Sequence, residues 1–170
     1  MTFSIHSFVD GSCWNKTGQG GWCAIVAAMR EDATEDEIAD AIHAASQCIA
    51  PDRTDITIYD DDEKMKAKIS VLRGYALGTT NNRMEMHAIL AAIEAMSKPC
   101  AIRIVSDSEW AIGAFTTWNV KANRDLVQRY RAASRGFKVM FEHVEGHSGH
   151  ALNEWADKLA DYKGNPNLEV

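Results

Sequence analysis

Stretches with strand spacing alternate with stretches of helical spacing along this chain, and the first two strands lie close enough to form a hairpin. That grouping limits the fold more than any other feature. Phe3 to Asp10 partly alternates and runs into the turn-former Gly11, so a strand is expected to finish at Asp10. Gly18, Gly20 and Gly21 punctuate the path to a second apolar run, Trp22 to Met29, its hairpin partner. Thr34 followed by Glu37 is a capping-box pattern. Ile38, Ala41, Ile42 and Ala45 then follow at helical spacing, and Pro51 closes the helix. Ile56 to Tyr59 has the pattern of a short strand, and Lys68 to Leu77 resumes one. Asn81 or Asn82 is placed to cap a long helix running to about Ser97, with Ile89, Leu90, Ile93 and Met96 on its buried face. Further strands are expected over Ala101 to Asp107 and Lys138 to Glu145. Helices are expected over Glu109 to Trp118, Arg124 to Ser134 and Leu152 to Tyr162. Strands interleaved with helices behind an opening hairpin predict an α/β fold built on a five-stranded mixed sheet.

A chain of 170 residues, 46% hydrophobic and 25% charged, suits a single globular domain. No apolar run is long enough to span a bilayer, and the first residues lack a basic-then-apolar signal pattern. Cys13, Cys23, Cys48 and Cys100 are scattered without metal-binding spacing, which points to reduced thiols in a cytoplasmic protein. Residues 165–170 read as a loose C-terminal tail. The net charge of −6 argues on its own against nucleic acid as partner, but the charge is uneven. Residues 30–68 hold 12 acids against 5 bases, leaving 13 bases against 12 acids elsewhere. A near-neutral body with one acidic segment can still present a basic face to phosphate. Within that segment, Asp60 to Glu63 reads as a solvated loop, because the spaced ligands and turn glycine of a calcium loop are missing.

Four acidic residues are candidates for chemistry. Asp10 and Asp107 each end an apolar run just before a small residue, and at the ends of adjacent parallel strands they would face one crevice. Each alone also suits a turn. Glu85 falls in the first turn of its helix, where the macrodipole favours an anion. Asp157 lies among Trp155, Ala156 and Leu159, an awkward place for an unpartnered carboxylate. Clustered carboxylates repel one another, and hard divalent cations prefer carboxylate oxygen, so four together would make a metal site. A zinc site from His143, His147 and His150 is weak, with no cysteine near and His143 in a strand pattern.

The flanking strings make the set specific. Asp10-Gly11-Ser12, Thr80-Asn81-Asn82-Arg83-Met84-Glu85, Ser106-Asp107-Ser108 and Gly146-His147-Ser148-Gly149-His150 occur in that order, with Asn153, Glu154 and Asp157 after them. Over residues 3–29 and 69–162 the chain resembles type 1 ribonuclease H. The resemblance implies a ribonuclease H-like domain over residues 1–164 that hydrolyses the RNA strand of RNA–DNA hybrids, leaving 5′-phosphate and 3′-hydroxyl ends. It implies two Mg²⁺ or Mn²⁺ ions, one held by Asp10 and Asp157 and the other by Asp10, Glu85 and Asp107. His147 resembles the family's mobile histidine, which assists proton transfer or product release. Cys13, Asn81 and Asn82 match residues that contact the hybrid's minor groove; Thr80 and Arg83 lie near a site for a DNA-strand phosphate. Trp118 matches an aromatic residue of the DNA-binding channel, although core packing is an equal reading of a lone helical Trp.

Departures from the family pattern are also visible. The basic helical protrusion that many members carry after the Trp118 position is absent. Glu109 and Glu145 replace an amide and a lysine, and residues 30–68 form an acidic insertion. Weaker, more salt-sensitive hybrid binding with cleavage retained is therefore expected. The insertion's apolar stripe must pack against the sheet, a protein partner or a second subunit; otherwise a monomer is expected. Arg124, Gln128, Arg131 and Arg135 form one polar stripe that is either a solvated face or a track for phosphate. The rivals are a hybrid-binding module whose catalysis has lapsed and a related-fold nuclease acting on duplex DNA or junctions.

Overall fold

The computed structural model describes residues 2–14, 16–117 and 120–161. Trp118 and the expected tail over 165–170 lie outside the described residues. The opening hairpin is β1 (Phe3–Trp14) and β2 (Gln19–Arg30), antiparallel throughout with Asp10 opposite Cys23. β1 does not finish at Asp10. It carries Gly11, Ser12 and Cys13 on through the ladder, where they face Trp22, Gly21 and Gly20. Gly11 therefore acts as a strand residue without a side chain and not as a turn.

The sheet has six strands and not five, in the order β3-β4-β2-β1-β5-β6. The extra strand is β3 (Arg53–Tyr59), from the acidic segment, which pairs antiparallel with β4 (Met65–Ala76) along the outer edge. Its alternation of exposed and half-buried residues is that of a strand with one face on the core, so Ile56 and Ile58 pack inward. On the other side of β1, β5 (Ala101–Ser106) and β6 (Lys138–His143) run parallel to it and to each other.

Before β3, α1 (Glu35–Ala44) starts with the expected capping box: the Glu37 amide donates to Thr34 Oγ1 at 3.2 Å and the Thr34 amide donates to Glu37 Oε1 at 3.1 Å. This helix stops at Ala44, and a short 3₁₀ turn over Ser46–Cys48 intervenes before Pro51, so the proline is not what ends it. Ile38 and Ile42 are fully buried in the core shared by the sheet and α5 (Ala151–Ala160). The insertion's apolar stripe is thus spent inside this chain. The Asp60–Glu63 run is a turn, with Asp60 Oδ1 accepting from the amides of Asp62 and Lys64 at 2.9 Å each.

The opposite face is covered by α2 (Asn81–Glu94), α3 (Glu109–Thr116) and α4 (Arg124–Ala133), packed over Val9, Val26, Ile102 and Ile104. Neither Asn81 nor Asn82 caps α2. Thr80 does, its hydroxyl accepting from the Arg83 amide at 3.2 Å. The helix ends at Glu94, short of Ser97. β1 has neighbours on both edges and both faces, and Ser7 to Asp10 are all buried.

Candidate active site

Parallel pairing of β1 with β5 sets Val9 beside Ser106, so the next residues, Asp10 still within β1 and Asp107 just past the end of β5, come side by side. The third carboxylate arrives from α2. A Cβ on Gly11 would stand 2.3 Å from both the Glu85 nitrogen and the Met84 carbonyl carbon. The missing side chain is what lets the first turn of α2 rest on β1. Carboxylate oxygens of Asp10, Glu85 and Asp107 consequently all lie within 4.8 Å of one another. Asp157, on α5, comes to the same cleft from the other face of the sheet. It stands within hydrogen-bonding reach of Asp10 but outside that closest triad.

The cleft is open, about 390 Å³, and its walls also include Ser12, Asn81, Asn82, Ser108 and Gly146. Asp10 is 2% exposed and Glu85 9%. Burial first, and then the charges of Glu85 and Asp107, push Asp10 well above the ordinary carboxylate range. Burial likewise pushes Glu85 up, with Asp107 and Asp157 adding to it. Glu85 Oε2 is buried without a hydrogen-bond partner among the described residues. An orphaned carboxylate oxygen inside a cluster of like charges fits a hard divalent cation, which would supply the missing ligand contact and the missing charge.

The loop between β6 and α5 closes one wall. A Cβ on Gly146 would come 3.0 Å from Asp107 Oδ2, so this loop rests directly on that carboxylate. His147 follows with a left-handed backbone (φ 56°), is exposed and is not itself a wall of the cleft. The three loop-region histidines are used separately. His143 Nε2 is 3.2 Å from the Asp107 carbonyl, and His150 Nδ1 accepts from the Asn153 amide at 3.3 Å, capping α5. The carboxylate triad is the metal-competent group among the described residues, and the zinc reading has no geometric support.

The remaining candidates separate into two groups. Asn81 and Asn82 line the cleft, and Asn81 Oδ1 accepts from the Cys13 amide at 2.7 Å, tying α2 to the end of β1. Thr80 is occupied as a cap. Arg83 is turned to α4, where it makes a two-pronged pair with Asp125 (2.9 and 3.0 Å) and reaches Asn123 Oδ1 at 3.1 Å. Ser12, Ser108 and Gly146 were not singled out from sequence, although they sit inside the strings that were. The available signal was their place in those strings, Ser108 directly after Asp107, Ser12 two residues after Asp10 and Gly146 just before His147.

A family model described as RNase H matches residues 3–164 of the chain. The ribonuclease H of Cereibacter sphaeroides is 30% identical over 170 residues, covering 92% of this chain and 91% of that protein. The ribonuclease H of Erwinia tasmaniensis is 32% identical over 184 residues, covering 99% and 95%. Among solved structures, the N-terminal RNase H domain of rv2228c from Mycobacterium tuberculosis superposes with a TM-score of 0.61 at 16% identity, covering 94% of this chain and 91% of that one. LC9-RNase H1, described as a type 1 RNase H with the type 2 active-site motif, gives 0.65 at 22%, covering 94% and 71%. At these identities the two structures speak for the fold alone.

Proposed function

The chain belongs to the ribonuclease H family, and on that premise we propose that it is an endoribonuclease that hydrolyses the RNA strand of RNA–DNA hybrids, leaving 5′-phosphate and 3′-hydroxyl ends. The observation that carries the reading is the convergence of Asp10, Glu85 and Asp107, from two strands and a helix, on one open cleft that Asp157 also enters.

We assign Asp10, Glu85, Asp107 and Asp157 as the residues that hold two divalent cations, Mg²⁺ or Mn²⁺, with Asp10 shared between them. Such ions supply charge for the phosphoryl oxygens and ready a water for attack. The protein's part is to fix the carboxylates and to seat the substrate. Burial of Asp10 and Glu85 keeps the cluster rigid and makes its charge dependent on a bound cation. Asn81, Asn82 and Cys13 are assigned to the hybrid's minor groove, whose 2′-hydroxyls separate RNA from DNA. Thr80 and Arg83 are assigned to the rim beside a DNA-strand phosphate, with Trp118 assigned to the DNA channel. His147, on a loop flanked by Gly146 and Gly149, is assigned a proton-transfer or product-release role, because an exposed side chain on such a loop can approach and leave.

We read residues 1–164 as one domain of the type 1 kind without the basic protrusion, and residues 30–68 as an acidic insertion that completes the sheet and closes one face. Burial of Ile38 and Ile42 within this chain supports a monomer. Among the described residues no helix is long and apolar enough to cross a membrane; a cytoplasmic location is our assignment. The test is labelled hybrid with Mg²⁺, Mn²⁺ or chelator, beside single-stranded RNA and both homoduplexes. Metal-dependent cutting of the hybrid's RNA is expected. Binding without turnover would favour a lapsed enzyme, and cutting of DNA duplex would favour a related nuclease.

A further inference from the structure

The arginines of α4 have no part in the cleft, yet their arrangement is selective. Residues 121–135 carry five bases against one acid, within a chain of net charge −6. On the flank that meets α2 the charges are matched: Asp125 pairs with Arg83, and Arg129 pairs with Glu94 at 2.8 Å. The other exposed flank is different. Arg124, Gln128 and Arg131 share it and Arg135 follows just past the end of the helix, all exposed. Among the described residues none of these three arginines joins an ion pair.

The stripe also begins in a defined place. Arg83, next to the cleft-lining Asn82, grips Asp125 and Asn123 and so pins the first turn of α4 to the rim of the cleft. From Arg124 to Arg131 the helix rises about 10 Å, the axial length over which one nucleic-acid strand offers roughly three phosphates. Unpaired guanidinium groups at that spacing, leading away from a nuclease cleft, complement a phosphate backbone in both charge and repeat.

We propose that Arg124, Arg131 and Arg135 form a track for the hybrid's phosphate backbone outside the cleft, taking up grip that the rest of this acidic chain does not supply. The proposal rests on the hybrid-hydrolase reading. Its test compares binding of a long RNA–DNA hybrid, in chelator so that nothing is cut, by three proteins between 50 and 200 mM salt, taken as about a fourfold range. These are the wild type, the triple variant Arg124→Ala/Arg131→Ala/Arg135→Ala, and a control that loses the same charge elsewhere, Lys64→Ala/Lys68→Ala/Lys98→Ala. Each phosphate contact contributes about 0.7–0.9 to the slope of log affinity against log salt. The triple variant should therefore flatten the slope by roughly 2–3, so that across this range the wild type loses about 30-fold more affinity than the variant does. The control should keep the wild-type slope, a fourth protein with Arg→Lys at the same three positions should restore it, and matched melting curves should show all four folded. Equal slopes for wild type and α4 variant overturn the track, and so does a control that flattens as much. A wild type that binds no hybrid overturns the underlying reading as well, whereas equal slopes with hybrid bound overturn the track alone.

Discussion

Replacing Asp10 by Asn should stabilise the metal-free protein while abolishing cleavage. Asp10 is 2% exposed and sits within 4.8 Å of two other carboxylates, so its charged form is opposed by burial and by like charge. Its ordinary value is 3.8, and the fold raises it. A carboxyl raised on folding lends stability that is complete below its unfolded value and is lost as pH climbs toward its folded value. The size of the loss has a ceiling, because the folded chain can always take a proton from water. From the ordinary value of 3.8 up to pH 7 that ceiling is about 4 kcal/mol, at 1.36 kcal/mol per unit. Asn keeps the shape without the charge. The variant should therefore gain about 2–4 kcal/mol in chelator at pH 7, or roughly 5–15 °C in Tm for a chain of this size. At pH 4 the two proteins should melt nearly together, since Asp10 holds its proton in the folded wild type. Mg²⁺ at a hundredfold excess over Kd should cut the gain by about 2.7 kcal/mol, by stabilising the wild type, whose carboxylate set is complete. Thermal melts of both proteins at the two pH values, with and without Mg²⁺, provide the measurement. Titration of groups remote from the cleft cancels in the difference, among them Asp32 and Asp125, whose arginine partners hold them low. A variant no more stable in chelator at pH 7, or equally stabilised at both pH values, would refute the argument from buried repulsion. Cleavage at the wild-type rate would refute the site.

Two further substitutions test how the cleft is built. Gly11→Ala places a methyl 2.3 Å from backbone atoms of Met84 and Glu85, neither of which can swing aside. Displacing α2 by about 1 Å should cost about 100-fold in kcat along with roughly 1–3 kcal/mol of stability; wild-type turnover would disprove the close approach. Ile42→Ala empties a fully buried position in α1 and should cost about 2–5 kcal/mol, read from urea unfolding, with kcat at 25 °C unchanged. A loss below about 0.5 kcal/mol would mean that α1 is not part of the core.

Much of the secondary structure was legible because it is governed by local chemistry. The Thr34/Glu37 box, the buried Ile38 and Ile42, and α2 with its apolar Ile89, Leu90 and Ile93 follow from spacing and capping alone. Boundaries failed where two local signals competed or a tertiary contact intervened. Thr80, Asn81 and Asn82 can all cap a helix, and the choice of Thr80 leaves Asn81 free to accept from the Cys13 amide. Gly11 looks like a turn residue until α2 is laid against it. β3 was visible as a short run, but whether it joined the sheet depended on an open edge at β4.

The linear order of residues determined which side chains exist to do chemistry: four acids in recognisable strings, a histidine between glycines, and an arginine stripe on one helix. Only the tertiary structure decided which of them meet. Parallel pairing brings Asp10 beside Asp107, a bare α-carbon admits Glu85, and α5 delivers Asp157 across the sheet, while Arg83 is drawn off to Asp125. The physical reason is range. Capping and periodicity act over a few residues, whereas the carboxylate triad brings oxygens from residues 10, 85 and 107 to within 4.8 Å of one another. Such an arrangement is set by how strands pair and helices pack, not by what any residue is next to in the chain.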